Sequence, residues 1–103
     1  MNIQEYRNWR PTYSQYEKTE KCLPSYEWCE HKVTSIVGLA AEAGELLGLV
    51  QKGLRKKIPI AKEKVIDELG DVWWYFNYVL DAYGFSLEEV SQYNKEKLDA
   101  RNK

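Results

Sequence analysis

From Val33 to Leu54 the apolar residues Val33, Ile36, Val37, Ala40, Ala43, Leu47, Val50 and Leu54 recur at helical spacing. A periodic run this long commits the chain to a long helix and its fold to helix-on-helix packing. Within that run, the stretch GLAAEAGELLGLV, from Gly38 to Val50, carries two charged residues, Glu42 and Glu45. A buried carboxylate without a partner is costly enough to shift its pKa and lose its charge. The pair therefore demands an explanation from elsewhere in the chain.

The rest of the sequence is helical in period, with no convincing strand alternation, and predicts an all-α fold. A short first helix is expected after Asn2, with Ile3 and Tyr6 on one side and Pro11 ending or bending it. The polar, irregular stretch from Thr12 to Leu23 carries no assignment. Pro24-Ser25 offers a turn and N-cap for the second helix, with Glu27 in its first turn. That helix runs out between Gly53 and Lys57, in the basic stretch KGLRKK. A third helix is expected from about Ala61 to Tyr83, ending at Gly84. Ser86 and Glu89 form an S-x-x-E capping box for the fourth, flanked by Phe85 and Val90 at hydrophobic-staple positions. With no repeat and no linker, residues 1–103 read as a single domain.

Composition narrows the function classes. A net charge of −1 argues against a general nucleic-acid surface or a polybasic membrane patch. MNIQEYRNWR lacks the apolar region of a signal peptide. No apolar run is expected to span a bilayer, which takes about 20 residues. Cys22 and Cys29 form no metal signature and read as free thiols. The expectation is a soluble cytoplasmic protein, with no membrane partner and no nucleic-acid polymer as partner. Aromatics are dense in VWWYFNYVL, where Trp73, Trp74, Tyr75, Phe76 and Tyr78 point almost all round a helix. One small domain has little room to cover them, so part of this surface is expected to meet another subunit.

Positions three apart on a helix lie about 60° apart, one turn above each other, so Glu42 and Glu45 project together. The third helix repeats the arrangement with Glu68 and Asp71 in VIDELGDVWW. Two antiparallel helices can bring these pairs face to face, where four carboxylates would repel strongly without a cation. Hard divalent ions relieve that repulsion, since Mg²⁺ and Mn²⁺ prefer oxygen ligands. An E-x-x-E pair alone is ordinary in a charged helix. The apolar surroundings and the second pair set this chain apart. The small residues Gly38, Ala41, Gly44 and Gly48 suit close helix approach, whether or not they serve the site.

GLAAEAGELLGLVQKGLRK, KVIDELGDVWWYFNYVLDAYGFSLEEV and NKEKLDAR together resemble the MazG-like all-α nucleoside triphosphate pyrophosphohydrolases, over about Ile36 to Arg101. That family is similar in having E-x-x-E, then E-x-x-D, then N-x-x-K-L-x-x-R on successive helices. The resemblance implies a four-helix-bundle-like protomer that assembles into a dimer or tetramer. It implies Mg²⁺-dependent cleavage of a nucleoside triphosphate between its α- and β-phosphates, giving a monophosphate and pyrophosphate. Metal-binding residues would be Glu42, Glu45, Glu68 and Asp71, with Asn94, Lys97 and Arg101 contacting the substrate. Mn²⁺ is a possible substitute for Mg²⁺. Ala41 stands where many members carry a further acid, which leaves open the number of metals and the general base. Glu45, if not fully used in coordination, is the preferred proton acceptor.

Three further features have competing readings. Lys52, Arg55, Lys56 and Lys57 can attract a polyphosphate, but a basic helix C-terminus more often complements the dipole. His31 lies about three turns before Glu42 on the same face, and reads first as a surface or partly buried residue. Trp28, Trp73 and Trp74 can stack on a base, yet read first as core or interface. Rival functions are a related pyrophosphatase, dUTPase-like or acting on phosphoribosyl-ATP, and a catalytically silent dimerisation or regulatory module.

Overall fold

The structure is a computed structural model and describes residues 1–13 and 30–102. Among these residues there are four helices, α1 (Ile3–Trp9), α2 (Glu30–Lys56), α3 (Lys62–Tyr83) and α4 (Leu87–Arg101), and no strand. A 3-10 turn, Arg10–Tyr13, continues α1. The expected start of the second helix at Pro24-Ser25, together with Cys22, Trp28 and Cys29, lies outside the described residues.

The helix ends follow local chemistry. Asn2 caps α1, its side chain accepting from the Glu5 N–H at 2.8 Å. Pro11 falls in the 3-10 turn, where the α-helix has already ended. Gly84 closes α3 in the left-handed region at φ 73°, with the Phe85 N–H donating to the Leu80 carbonyl at 2.8 Å. The same six-residue closure ends α2, where the Ile58 N–H donates to the Gly53 carbonyl at 3.2 Å. There the left-handed position is occupied by Lys57, at φ 55°. The Ser86–Glu89 capping box forms in full.

Helices α2 and α3 make an antiparallel hairpin. Its seam runs from His31 against Tyr78, through Gly38 under the Tyr75 ring, to Gly53 against Ile60. A Cβ at Gly38 would overlap the Tyr75 ring, and one at Gly53 would sit 2.8 Å from Ile60 Cγ1. Glycine is what lets α3 approach at Gly38 and the connecting segment fold back at Gly53. Gly44 and Gly48 have nothing within 4 Å among the described residues, so there they serve no close approach.

Helix α1 lies against the C-terminal half of α3. Arg7 and Arg10 both donate to the Asp81 carboxylate, Arg10 to Oδ2 at 2.7 Å. Arg10 is fully buried, its guanidinium 5.0 Å from both the Trp74 and Tyr78 rings. Lys32 is buried in the same region, 5.0 Å from the Tyr83 ring. This end of the hairpin is therefore a polar, cation–π core rather than an aliphatic one.

Three features of the fold bear on what the sequence led one to expect. Among the described residues the helices do not close into a four-helix bundle: α4 buries no residue and does not pack extensively along α2 or α3. Its apolar residues, Leu87, Val90, Tyr93 and Leu98, are too few to hold it down. The radius of gyration, 16.4 Å, exceeds the roughly 13 Å of a compact chain this long. Second, the apolar stripe of α2 faces away from α3. Val33, Ile36, Val37, Ala40, Ala43, Leu47, Val50 and Leu54 are all exposed, whereas the aromatic cluster of α3 is half-buried or buried. Third, α2 is long and apolar enough, by length and composition, to cross a membrane, with mean hydropathy 1.6 over 18 residues. Its two central carboxylates do not offset so many valines and leucines on that scale.

Candidate metal centre

The hairpin register aligns the two acidic pairs. Antiparallel packing that sets Gly38 beside Tyr75 carries Glu42, one turn on, toward Asp71 and Glu68. A carboxylate oxygen from each of Glu42, Glu68 and Asp71 lies within 4.8 Å of the others. Glu42 and Glu68 are half-buried and Asp71 is exposed.

Glu45 lies outside this group of three and is exposed, but near enough to act on both helices. Partial burial raises the Glu42 carboxyl above its usual range, and Asp71, Glu68 and Glu45 raise it further. The Glu68 carboxyl is raised by desolvation, then by Glu45, Asp67 and Asp71. All four predicted acids therefore share one field, although only three bring oxygens together. Their repulsion is what a bound cation relieves. An all-carboxylate donor set suits a hard ion such as Mg²⁺ or Mn²⁺.

Sequence patterns did not indicate that α1 comes near this part of α3. Tyr6 of α1 packs on Trp73, two residues beyond Asp71, with ring centroids 6.1 Å apart. Burial pushes its phenol up, Arg10 opposes this, and Asp71 adds to it, so the phenol sits within electrostatic reach of the acids. The placement depends on Arg7, Arg10 and Asp81, which are distant in sequence. His31 takes no part in the centre: its Nδ1 lies 3.0 Å from the Tyr78 hydroxyl, in the hairpin seam. Trp73 stacks on Phe76 and Trp74 packs against Tyr75 and Tyr78.

Asn94, Lys97 and Arg101 are exposed on α4 and are not brought to the acids within one protomer. Their common face, spaced at three and four residues, is preserved.

Residues 31–103 match the model of the MazG nucleotide pyrophosphohydrolase domain. The chain belongs to the MazG family. The match spans the hairpin, both acidic pairs and α4, and leaves out α1 with its arginine clamp. A curated relative, the Gene 37 protein of Mycobacterium phage L5, is 38% identical over 69 residues, covering 63% of this chain. The aligned part spans 60% of that relative's length. No solved structure matches the chain.

Proposed function

We propose that this MazG-family protein is a Mg²⁺-dependent nucleoside triphosphate pyrophosphohydrolase, converting a ribo- or deoxyribonucleoside triphosphate to the monophosphate and pyrophosphate. The observation that carries the reading is the convergence of Glu42, Glu68 and Asp71 across the hairpin. Four acids in one field with no cation of their own would otherwise only destabilise the protomer.

In this reading Glu42, Glu68 and Asp71 hold the ion, with Glu45 completing the set or standing beside it. When bound, Mg²⁺ neutralises phosphate oxygens and lowers the pKa of a coordinated water. Glu45, outside the converging three, is free to accept the proton of the attacking water. Water adds at phosphorus in the α–β link, the bridging P–O bond breaks, and pyrophosphate departs with the bond's electron pair.

The substrate contacts assigned to Asn94, Lys97 and Arg101 require a second copy. The exposed apolar stripe on α2, from Val33 to Leu54, spans about 31 Å along the helix axis at 1.5 Å per residue. Such a stripe on a small chain marks an interaction surface. A homodimer or tetramer buries it and lets α4 of one protomer reach toward the acids of another, with Lys97 donating to a phosphate oxygen and Asn94 adding a neutral hydrogen bond.

Pyrophosphate release from a panel of ribo- and deoxyribonucleoside triphosphates, dUTP and phosphoribosyl-ATP, with and without Mg²⁺, tests the reading. Release from several triphosphates only with Mg²⁺ supports it. Activity confined to dUTP or phosphoribosyl-ATP reassigns the substrate, and no activity on any of them points to a silent module.

A further inference from the structure

Beyond the acids, the hairpin seam continues into a pocket of about 270 Å³ at the turn between α2 and α3. Its walls carry three lysines: Lys52 and Lys56 from the end of α2, and Lys64 from the start of α3. Ile58, Pro59 and Ile60 give it an apolar lining between them. Among the described residues none of the three lysines has a carboxylate within ion-pair distance.

The helix dipole accounts for part of this charge and not the rest. Lys52 and Lys56 lie near the C-terminus of α2, where cations are favoured. Lys64 lies in the first turn of α3, where the dipole disfavours a cation, and it lines the same pocket as the other two. Three exposed lysines around one hollow raise the local positive potential and favour an anion there.

The register places this pocket in line with the metal centre. Seven residues separate Glu45 from Lys52, which is almost a whole number of turns and about 10 Å of rise, so they share a face. Four residues separate Lys64 from Glu68, or about 6 Å, again on one face. A polyphosphate held at Glu42, Glu68 and Asp71 therefore meets positive charge on the hairpin side.

We propose that Lys52, Lys56 and Lys64 form the subsite for the terminal phosphates, so that the chain lies along the seam and pyrophosphate leaves toward the hairpin turn. The assignment rests on the pyrophosphohydrolase reading for its substrate, but the lysine pocket has a readout of its own. As compact ammonium donors, lysines suit the shifting oxygens of a departing diphosphate.

The test uses the full-length chain with Lys52→Gln, Lys64→Gln and the double substitution. Calorimetry with inorganic pyrophosphate in EDTA reads the lysines without the metal. Steady-state hydrolysis of a nucleoside triphosphate with Mg²⁺ reads the same site in turnover. Each single substitution is expected to weaken pyrophosphate binding and raise KM about tenfold, the scale of a charge-assisted contact. Inhibition by the nucleoside monophosphate, and the melting temperature, are expected to stay within twofold and about 2 °C of the parent, as for exposed positions. Lysine-dependent pyrophosphate binding by a chain that hydrolyses nothing supports the pocket and refutes the catalytic reading. Unchanged pyrophosphate binding and KM in the double variant, with hydrolysis intact, overturns the pocket and leaves the catalytic reading standing. Equal losses for monophosphate and pyrophosphate also overturn it, because they show general electrostatic attraction instead of a terminal-phosphate subsite.

Discussion

Asparagine in place of Asp81 removes the charge that, among the described residues, ties α1 to the hairpin carrying the acidic pairs. Asp81 accepts from Arg7 and from Arg10, whose side chain is wholly buried while that of Asp81 is 26% exposed. Exchanging two charge-assisted hydrogen bonds for neutral ones costs about 1–1.5 kcal/mol each, taking the difference between charged and neutral acceptors. Weakening the charge beside a buried guanidinium pushes the loss toward the 3–5 kcal/mol of a broken buried pair. The Trp74 and Tyr78 rings still face the Arg10 cation at 5.0 Å and return part of that. The expected loss is about 2–4 kcal/mol, or a melting temperature roughly 10–20 °C lower for a chain of this size. Urea or thermal unfolding at one fixed protein concentration measures it, since assembly makes the midpoint concentration-dependent. Arg7→Gln, which removes only the more exposed partner, is expected to cost about 1 kcal/mol. A loss below about 0.5 kcal/mol for Asp81→Asn would place the cluster with ordinary surface ion pairs and refute the clamp.

Other outcomes follow from the same residues. Glu42→Gln and Asp71→Asn are each expected to abolish Mg²⁺-dependent hydrolysis while leaving the metal-free protein at least as stable at pH 7; near-normal turnover in both would make the acids structural. Because Glu42 and Glu68 are raised in the folded state above their ordinary value of 4.5, metal-free stability should rise as pH falls from neutral through the raised values toward 4.5. Saturating Mg²⁺ should flatten that dependence, and a metal-free protein that loses stability over this window would contradict it. Val37→Glu, in the exposed stripe of α2, is expected to dissociate the assembly; sedimentation of the parent near 12.2 kDa at micromolar concentration would show there is none to dissociate. Lys97→Ala is expected to lower kcat/KM about ten- to a hundred-fold with the melting temperature almost unchanged, the loss of one charge-assisted contact to phosphate. A change below twofold would mark Lys97 as a solvated lysine. Lys57→Gly is expected to stabilise the hairpin by about 0.5–1 kcal/mol, because glycine relieves the left-handed strain at φ 55°, and no gain in the unfolding midpoint would refute that.

Local signals determined the helices, the caps and the acidic pairs. Asn2, Gly84 and the Ser86–Glu89 box act within four residues of their own backbone, and periodicity within α2 and α3 sets Glu42 with Glu45 and Glu68 with Asp71. Helical spacing says which residues share a face, but not what that face meets. The apolar stripe of α2 lies exposed, because the seam with α3 runs through His31, Gly38 and Glu42 instead. Which oxygens converge depended on the antiparallel register, set by the Tyr75 ring over Gly38 and by Ile60 against Gly53, so Glu42 joined Glu68 and Asp71 while Glu45 stood outside. The Arg7–Arg10–Asp81 clamp joins residues more than 70 positions apart, and it seats Tyr6 on Trp73. A single chain read by itself carries no trace of such pairings, since they follow from packing across elements and not from order along the backbone.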